Sequence, residues 1–316
     1  MVVDDPSNNI LSGIVTADPA GSVPAGTTLR FKSVPITTDF RGTTATINNW
    51  QFFEGVVLSI SFADQAFHYV EGSAVLIAPG VALCASHVIR PRMSELLAGT
   101  TGTMCQGLAS HGLLLWHIRK VTEVPNTDIT ILGLELASAF PPENLFLQAT
   151  LTTRTPKVGE ELLLCGFRAA ASAFSIKEGS PIETTGEVRI SRGAVTKRYP
   201  KGRDSSMVPW PVVEVACPAR GGMSGGPVFD SGGTLIGLVC SSVEISEHEG
   251  VSYVSLLWPA MTAQFESTWL KGMLPSPATL LQLDRRICPI IRPEAIRRIL
   301  HEDGKRYTTE YREWEE

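Results

Sequence analysis

From Trp50 to Leu256 the chain is cut into short β-branched runs at strand spacing, at 56–61, 73–77, 81–85, 113–118, 129–134, 161–165, 186–190, 212–216, 228–229, 235–240 and 251–256. Runs this short, separated by Gly, Pro, Asn and Ser, do not alternate with helical periods. They predict an all-β body of two sheets or two barrels. Gly 28 and Pro 21 in 316 residues suit the many tight turns such a body needs.

Composition removes several classes of function. Lys plus Arg is 27 against Asp plus Glu 32, a balance of -5, so no global basic field holds a phosphate backbone and nucleic acid is not expected as a partner. Apolar runs break well before the roughly 18 residues a bilayer crossing needs, and no membrane partner is expected. The first residues, with Asp4 and Asp5, lack the basic start and apolar stretch of a secretory signal. Cys84, Cys105, Cys165, Cys217, Cys240 and Cys288 form no CxxC pair, and four sit in apolar runs. Reduced, buried thiols in a cytoplasmic setting are expected. Cys105, His111 and His117 match no zinc spacing, so neither metal nor organic cofactor is expected.

Three regions follow. Residues 1–45 read as an irregular N-terminal extension in which only 28–36 is strand-like, 46–270 as the main domain, and 271–316 as a charged, partly helical tail. Helices are expected at 259–271 and 293–301. The segment 189–206, with Arg192, Lys197, Arg198, Lys201 and Arg203, reads as a basic loop, either solvated or docking a regulatory partner. In the tail, Ala295, Ile296, Ile299 and Leu300 form one apolar stripe if helical, and Tyr307, Tyr311 and Trp314 another, either of which could cover a partner's groove.

Three motifs carry chemistry: Cys84-Ala85-Ser86-His87-Val88, Asn126-Thr127-Asp128-Ile129, and Gly221-Gly222-Met223-Ser224-Gly225-Gly226-Pro227. Ser224 lies in a glycine turn whose Gly222 and Ser224 N–H groups can face the negative charge of a tetrahedral acyl intermediate. A serine hydroxyl needs a base, for which His87 is the candidate. A neutral imidazole needs a carboxylate to fix its tautomer, and Asp128 fits that role. Asp128 follows His87 by 41 residues and Ser224 follows Asp128 by 96. Order and intervals, about 45 and 93 in the chymotrypsin template, agree.

On these motifs the chain, over about residues 50–270, resembles the chymotrypsin-like, trypsin-type serine peptidases. Lys157-Val158-Gly159-Glu160-Glu161 through Gly166-Phe167, with the segment from Phe229 to Gly237, resembles the HtrA-like branch. The resemblance implies two antiparallel six-stranded barrels, a cleft between them, and endopeptidase activity on polypeptides through His87, Asp128 and Ser224. It implies a specificity pocket based near Pro218 and walled by Ser241, Ser242 and Gly250, with no acid at its base and so no demand for Arg or Lys. Two departures follow. Val88 stands where secreted trypsins carry a disulfide cysteine, and Met223 where they carry an aspartate that a freed N-terminal amine engages, so any switch must work otherwise. From the residues after Leu270, no peptide-binding PDZ domain of the kind HtrA-like enzymes append is expected.

Two rivals remain. Gly222-Met223-Ser224-Gly225-Gly226 satisfies the α/β-hydrolase elbow pattern, but a helix should follow the serine and β-like Val228-Phe229 does instead. The alternative from another class is a catalytically silent peptidase fold serving as a binding or scaffold module.

Overall fold

The continuous apolar runs become strands buried on both faces. The computed structural model describes residues 10–14, 28–33, 44–47, 53–63, 67–98, 102–173, 187–246, 249–270, 272–283, 285–300 and 307–312. Six strands, β1 (Val57–Ala63), β2 (Phe67–Ala78), β3 (Val81–Ala85), β4 (Gly102–Ala109), β5 (Gly112–Glu123) and β6 (Ile129–Leu136), pair antiparallel. They close in the circular order β1-β2-β3-β6-β5-β4. Six more, β7 (Glu161–Phe167), β8 (Val188–Tyr199), β9 (Val212–Val215), β10 (Pro227–Phe229), β11 (Leu235–Glu244) and β12 (Gly250–Leu256), close in the order β7-β8-β9-β12-β11-β10. The connectivity of the first barrel is thus repeated in the second. These two closed six-stranded barrels are the chymotrypsin-like fold that the sequence led us to expect.

Side chains alternate along a strand, and here both sides of the alternation are dry. Ala82 and Cys84 of β3 fill the first barrel, while Val81 and Leu83 join a core shared with the second. In β7, Leu162 and Leu164 point into the second barrel, and Leu163 and Cys165 join the shared core. Burying such a side chain contributes about 1.5–3 kcal/mol. One end of the first barrel holds Trp116, edge-on to Trp269 at 5.3 Å, with Phe146 at 5.4 Å from Trp269. Trp269 follows the second barrel in sequence, so this aromatic cluster ties the chain's late residues to its first barrel. Among the described residues no helix is long and apolar enough to cross a membrane.

Several expectations need correction. The N-terminal region is not irregular where it is described: Ile10–Ile14 pairs with Thr28–Ser33, which also pairs with Leu145–Gln148. Thr44–Ile47 pairs with β8, so the proposed boundary at 45 falls inside a strand of the second sheet. The basic segment is not a loop along its first half, because 189–199 belongs to β8. The rest is an ordered turn: Asp204 accepts the N–H groups of Ser206 and Val208 and pairs with Arg203, whose guanidinium lies 4.5 Å from the Tyr253 ring centre. The Met207 N–H, which Asp204 also accepts, then Arg203 and the Ser206 N–H hold the Asp204 carboxyl well below the usual range.

Neither expected helix forms among the described residues. Over 259–271 only a 3-10 segment, Trp258–Thr262, appears, and residue 271 lies outside the described residues. Phe265 and Ala278 exchange both backbone hydrogen bonds, at 2.8 and 3.0 Å, which takes the groups a helix would have used. Over 293–301, a left-handed Arg292 and a 3-10 turn lead into a strand, Ile296–Leu300, paired with Tyr307–Tyr311. The supposed stripe is therefore split, with Ala295 buried and Leu300 60% exposed. Tyr311 stacks on Trp258 at 5.7 Å and its hydroxyl accepts the Thr155 N–H, so the tail lies on its own domain; Trp314 is outside the described residues.

All six cysteines are free and buried. Burial pushes the thiols of Cys105, Cys217, Cys240 and Cys288 up to about 12, and those of Cys84 and Cys165 up as well. Because only thiolate reacts, a disulfide reagent at about pH 8 is expected to leave the native thiols unmodified while titrating six in denaturant. Rapid modification of any native thiol contradicts this burial. The linkage has a definite sign: unfolded thiols ionise near about 8.5 and folded ones do not, so stability present below that pH is lost as pH rises toward about 12.

Candidate active site

The histidine and aspartate meet because β3 and β6 are neighbours, with Ala85 registered opposite Ile129. The chain leaves β3 into a single helical turn, α1 (Ser86–Ile89), which presents His87 to solvent while Ser86, Val88 and Ile89 are buried. Just before β6, Asn126 adopts a left-handed φ of 57°, and the Thr127 hydroxyl donates to Val124 C=O at 2.8 Å and accepts Ile129 N–H at 3.1 Å. This turn aims Asp128 back at α1. Ser86 N–H donates to Asp128 C=O at 3.0 Å, and the Ser86 and Thr130 hydroxyls share a hydrogen bond of 2.7 Å. The Asp128 side chain is used at both oxygens: Oδ1 accepts His87 N–H at 2.9 Å and Oδ2 lies 2.7 Å from His87 Nδ1. Asp128 is 2% exposed, whereas the His87 side chain is 44% exposed, so one edge of the imidazole is fixed and the other faces outward.

Ser224 comes from the second barrel, on the turn that enters β10. Met223 N–H donates to Arg220 C=O at 2.9 Å and Gly226 N–H to Met223 C=O at 2.9 Å. Gly222 has φ +94°, and a Cβ there would lie 2.1 Å from Ala169 N; Gly225 has φ +79° and would meet Ser73 O at 2.3 Å and Ala85 N at 2.6 Å. Only glycine allows these backbones to approach. Gly225 thereby abuts Ala85, two residues before His87, which brings the serine turn against the histidine turn. Among the described residues neither Gly222 N–H nor Ser224 N–H donates to another group, leaving both free for a ligand oxygen. No hydrogen bond joins Ser224 Oγ to His87 among the described residues.

Ser73, which sequence reasoning missed, holds this turn. It is fully buried in β2; its hydroxyl donates to Gly222 C=O at 2.8 Å and accepts Phe167 N–H at 2.8 Å, while its own N–H donates to Ser224 C=O at 2.8 Å. The only trace in the sequence is a hydroxyl inside the apolar run Ala74-Val75-Leu76-Ile77 that follows it, since a buried hydroxyl requires partners.

The residues expected to form the specificity pocket are partly brought together. Pro218 is buried, Ser242 Oγ donates to Ala219 C=O at 2.7 Å, and a Cβ at Gly250 would lie 3.0 Å from Pro218 Cβ. Ser241 sits half-buried on β11 opposite Tyr253. Cys240, just before it, is buried and its thiol donates to Tyr253 C=O at 3.3 Å.

The trypsin-like peptidase domain family matches residues 72–238. No curated protein matches the chain. Among solved structures, the active form of the Rv3671c protease from M. tuberculosis is 16% identical over 64% of this chain and 76% of that one, with a TM-score of 0.41. An HtrA-type protease, AlgW, with a tripeptide is 18% identical over 64% and 56% of the two chains, TM-score 0.43. The MamO protease domain from Magnetospirillum magneticum in its apo form is 13% identical over 65% and 93%, TM-score 0.43.

Proposed function

The chain belongs to the family of trypsin-like peptidase domains, and from that membership we propose that it is a serine endopeptidase acting through His87, Asp128 and Ser224. The observation that carries this reading is the two-point hold of Asp128 on His87 beside a glycine turn that carries Ser224 and two N–H groups with no acceptor among the described residues. In the proposed mechanism His87 Nε2 takes the Ser224 proton as Oγ attacks the peptide carbonyl. The carbonyl oxygen, now negative, receives Gly222 and Ser224 N–H. His87 then gives its proton to the leaving amine, and water repeats the sequence on the acyl ester. Asp128 Oδ2 stabilises the imidazolium in both halves.

The substrate is a polypeptide whose side chain before the cut bond is small or apolar, since Pro218 rather than an acid occupies the pocket base. Free buried thiols support a reducing, cytoplasmic setting. A regulatory partner would meet the exposed faces of the C-terminal hairpin or of residues 189–206.

The test is intact-mass analysis after exposure to a fluorophosphonate probe, with Ser224→Ala and His87→Ala beside the native chain. A single adduct on the native protein and none on either variant is expected. No adduct on the native protein would favour the silent binding module.

A further inference from the structure

A cavity of about 540 Å³ opens beside the serine turn, lined by Arg168, Arg189, Arg220, Glu244, Ile245 and Ser246. The proposed mechanism uses none of these side chains. Three guanidinium groups meet two carboxylates there: Glu187 pairs with Arg168 at 3.3 Å and with Arg189 at 3.1 Å, and Glu244 pairs with Arg220. Among the described residues, these pairings leave one positive charge in excess. Arg189 Nε is buried and has no acceptor among the described residues, an arrangement that is costly unless a ligand completes it.

The cavity is wired to the turn. Arg189 registers opposite Gly166, where a Cβ would lie 2.8 Å from Met223 Cα, so this face of the β7–β8 pair looks onto the turn. Arg220 supplies the carbonyl that closes the turn on Met223 N–H, and Ala169 N–H, next to Arg168, donates to Gly221 C=O at 2.7 Å. Met223 itself offers no charge to this neighbourhood.

We propose that this cavity binds a carboxylate carried by an acidic polypeptide segment, and that its occupation changes the reactivity of Ser224 through residues 220–223. The single excess positive charge among the described residues matches a monoanionic carboxylate better than a dianionic phosphate, and a guanidinium receives a carboxylate with two parallel N–H donors. Ile245, 73% exposed at the rim, gives the neighbouring residue of a peptide an apolar wall. The binding half stands on the cavity alone, and the coupling half rests on the peptidase reading.

The test uses the full chain carrying Ser224→Ala, with fluorescein-labelled hexaglutamate and hexaglutamine as probes followed by anisotropy. Hexaglutamate is expected to bind about tenfold more tightly than hexaglutamine, with the difference shrinking at high salt. The Arg168→Gln/Arg189→Gln double variant is expected to lose about tenfold. Glu244→Gln is expected to tighten binding severalfold, a gain that misfolding cannot mimic. Equal binding of the two peptides, or no weakening in the double variant together with no gain in Glu244→Gln, overturns the site. In the second arm, hexaglutamate is added to the native chain during fluorophosphonate labelling. Acceleration identifies an effector and slowing identifies an acidic substrate segment lying across the turn. An unchanged rate at saturating peptide overturns the coupling. Absence of labelling with and without peptide overturns both the coupling and the peptidase reading, while the anisotropy arm still decides the site.

Discussion

Replacing Ser224 with alanine is expected to lower turnover of a peptide substrate by on the order of a millionfold, and His87→Ala by a similar factor. The reason is the division of labour in the proposed mechanism: Oγ forms the acyl bond, and without His87 it keeps its proton at neutral pH. The two losses should not add. Once either residue is gone, what remains is the contribution of Gly222 and Ser224 N–H and of substrate binding, on the order of 10³–10⁴ over water. The Ser224→Ala/His87→Ala double variant should therefore turn over no more slowly than either single variant, measured as kcat on a fluorogenic peptide selected from a library. Independent, multiplying losses would show that the two residues do not act as one unit, and retained activity in Ser224→Ala would move the nucleophile elsewhere.

The second large effect is expected at Asp128. Asp128→Asn preserves shape and removes one acceptor, with a predicted loss of about ten-thousandfold in kcat. Oδ1 accepts a backbone N–H from His87, which fixes where an amide oxygen must go. The amide NH2 is then forced to face His87 Nδ1, where the carboxylate now lies at 2.7 Å. A donor facing Nδ1 makes that nitrogen an acceptor and drives the ring proton to Nε2, the nitrogen that should take the Ser224 proton. Nitrogen NMR of the imidazole gives the separate readout: Nδ1–H in the native chain and Nε2–H in Asp128→Asn. The native tautomer in a dead variant would point to lost positioning, and full activity would remove Asp128 from the mechanism. The loss should appear in kcat, because the carboxylate matters most when the ring is charged.

The hydrogen bonds around Ser73 show how the two barrels are joined at the serine turn. The serine turn is built on the second barrel, yet its backbone is held by a residue of the first through two bonds of 2.8 Å, to Gly222 C=O and Ser224 C=O, while a third of the same length ties Ser73 to Phe167 of β7. With the close approach of Gly225 to Ala85, these bonds bring the turn that carries Ser224 against the turn that carries His87.

The sequence by itself determined the strands that fill the barrels and the order of the three chemical motifs. Val81 to Ala85 or Ile129 to Leu134 can be buried only on two faces, and six strands per barrel supply both an interior and a shared core. His87, Asp128 and Ser224 could be picked out as candidates because the proposed chemistry demands particular residue types, and because a turn as tight as 221–226 tolerates little but glycine. What the sequence left open was whatever depends on a distant partner. Residues 293–301 show a helical stripe, but pairing with Tyr307–Tyr311 satisfies the same backbone groups and lets Tyr311 reach Trp258. Arg189 and Arg192 looked like a basic loop because β8 places them on its less buried positions, and Gly193, next to Arg192, is buried with no side chain to mark a strand; a Cβ there would lie 2.5 Å from Ala216 O. Ser73, Arg189 and Arg220 lie far apart in sequence and carry no motif. Side-chain alternation and turn chemistry are local and can be read from neighbours, whereas the partner of a buried hydroxyl or of a guanidinium is fixed only when the two barrels close against each other.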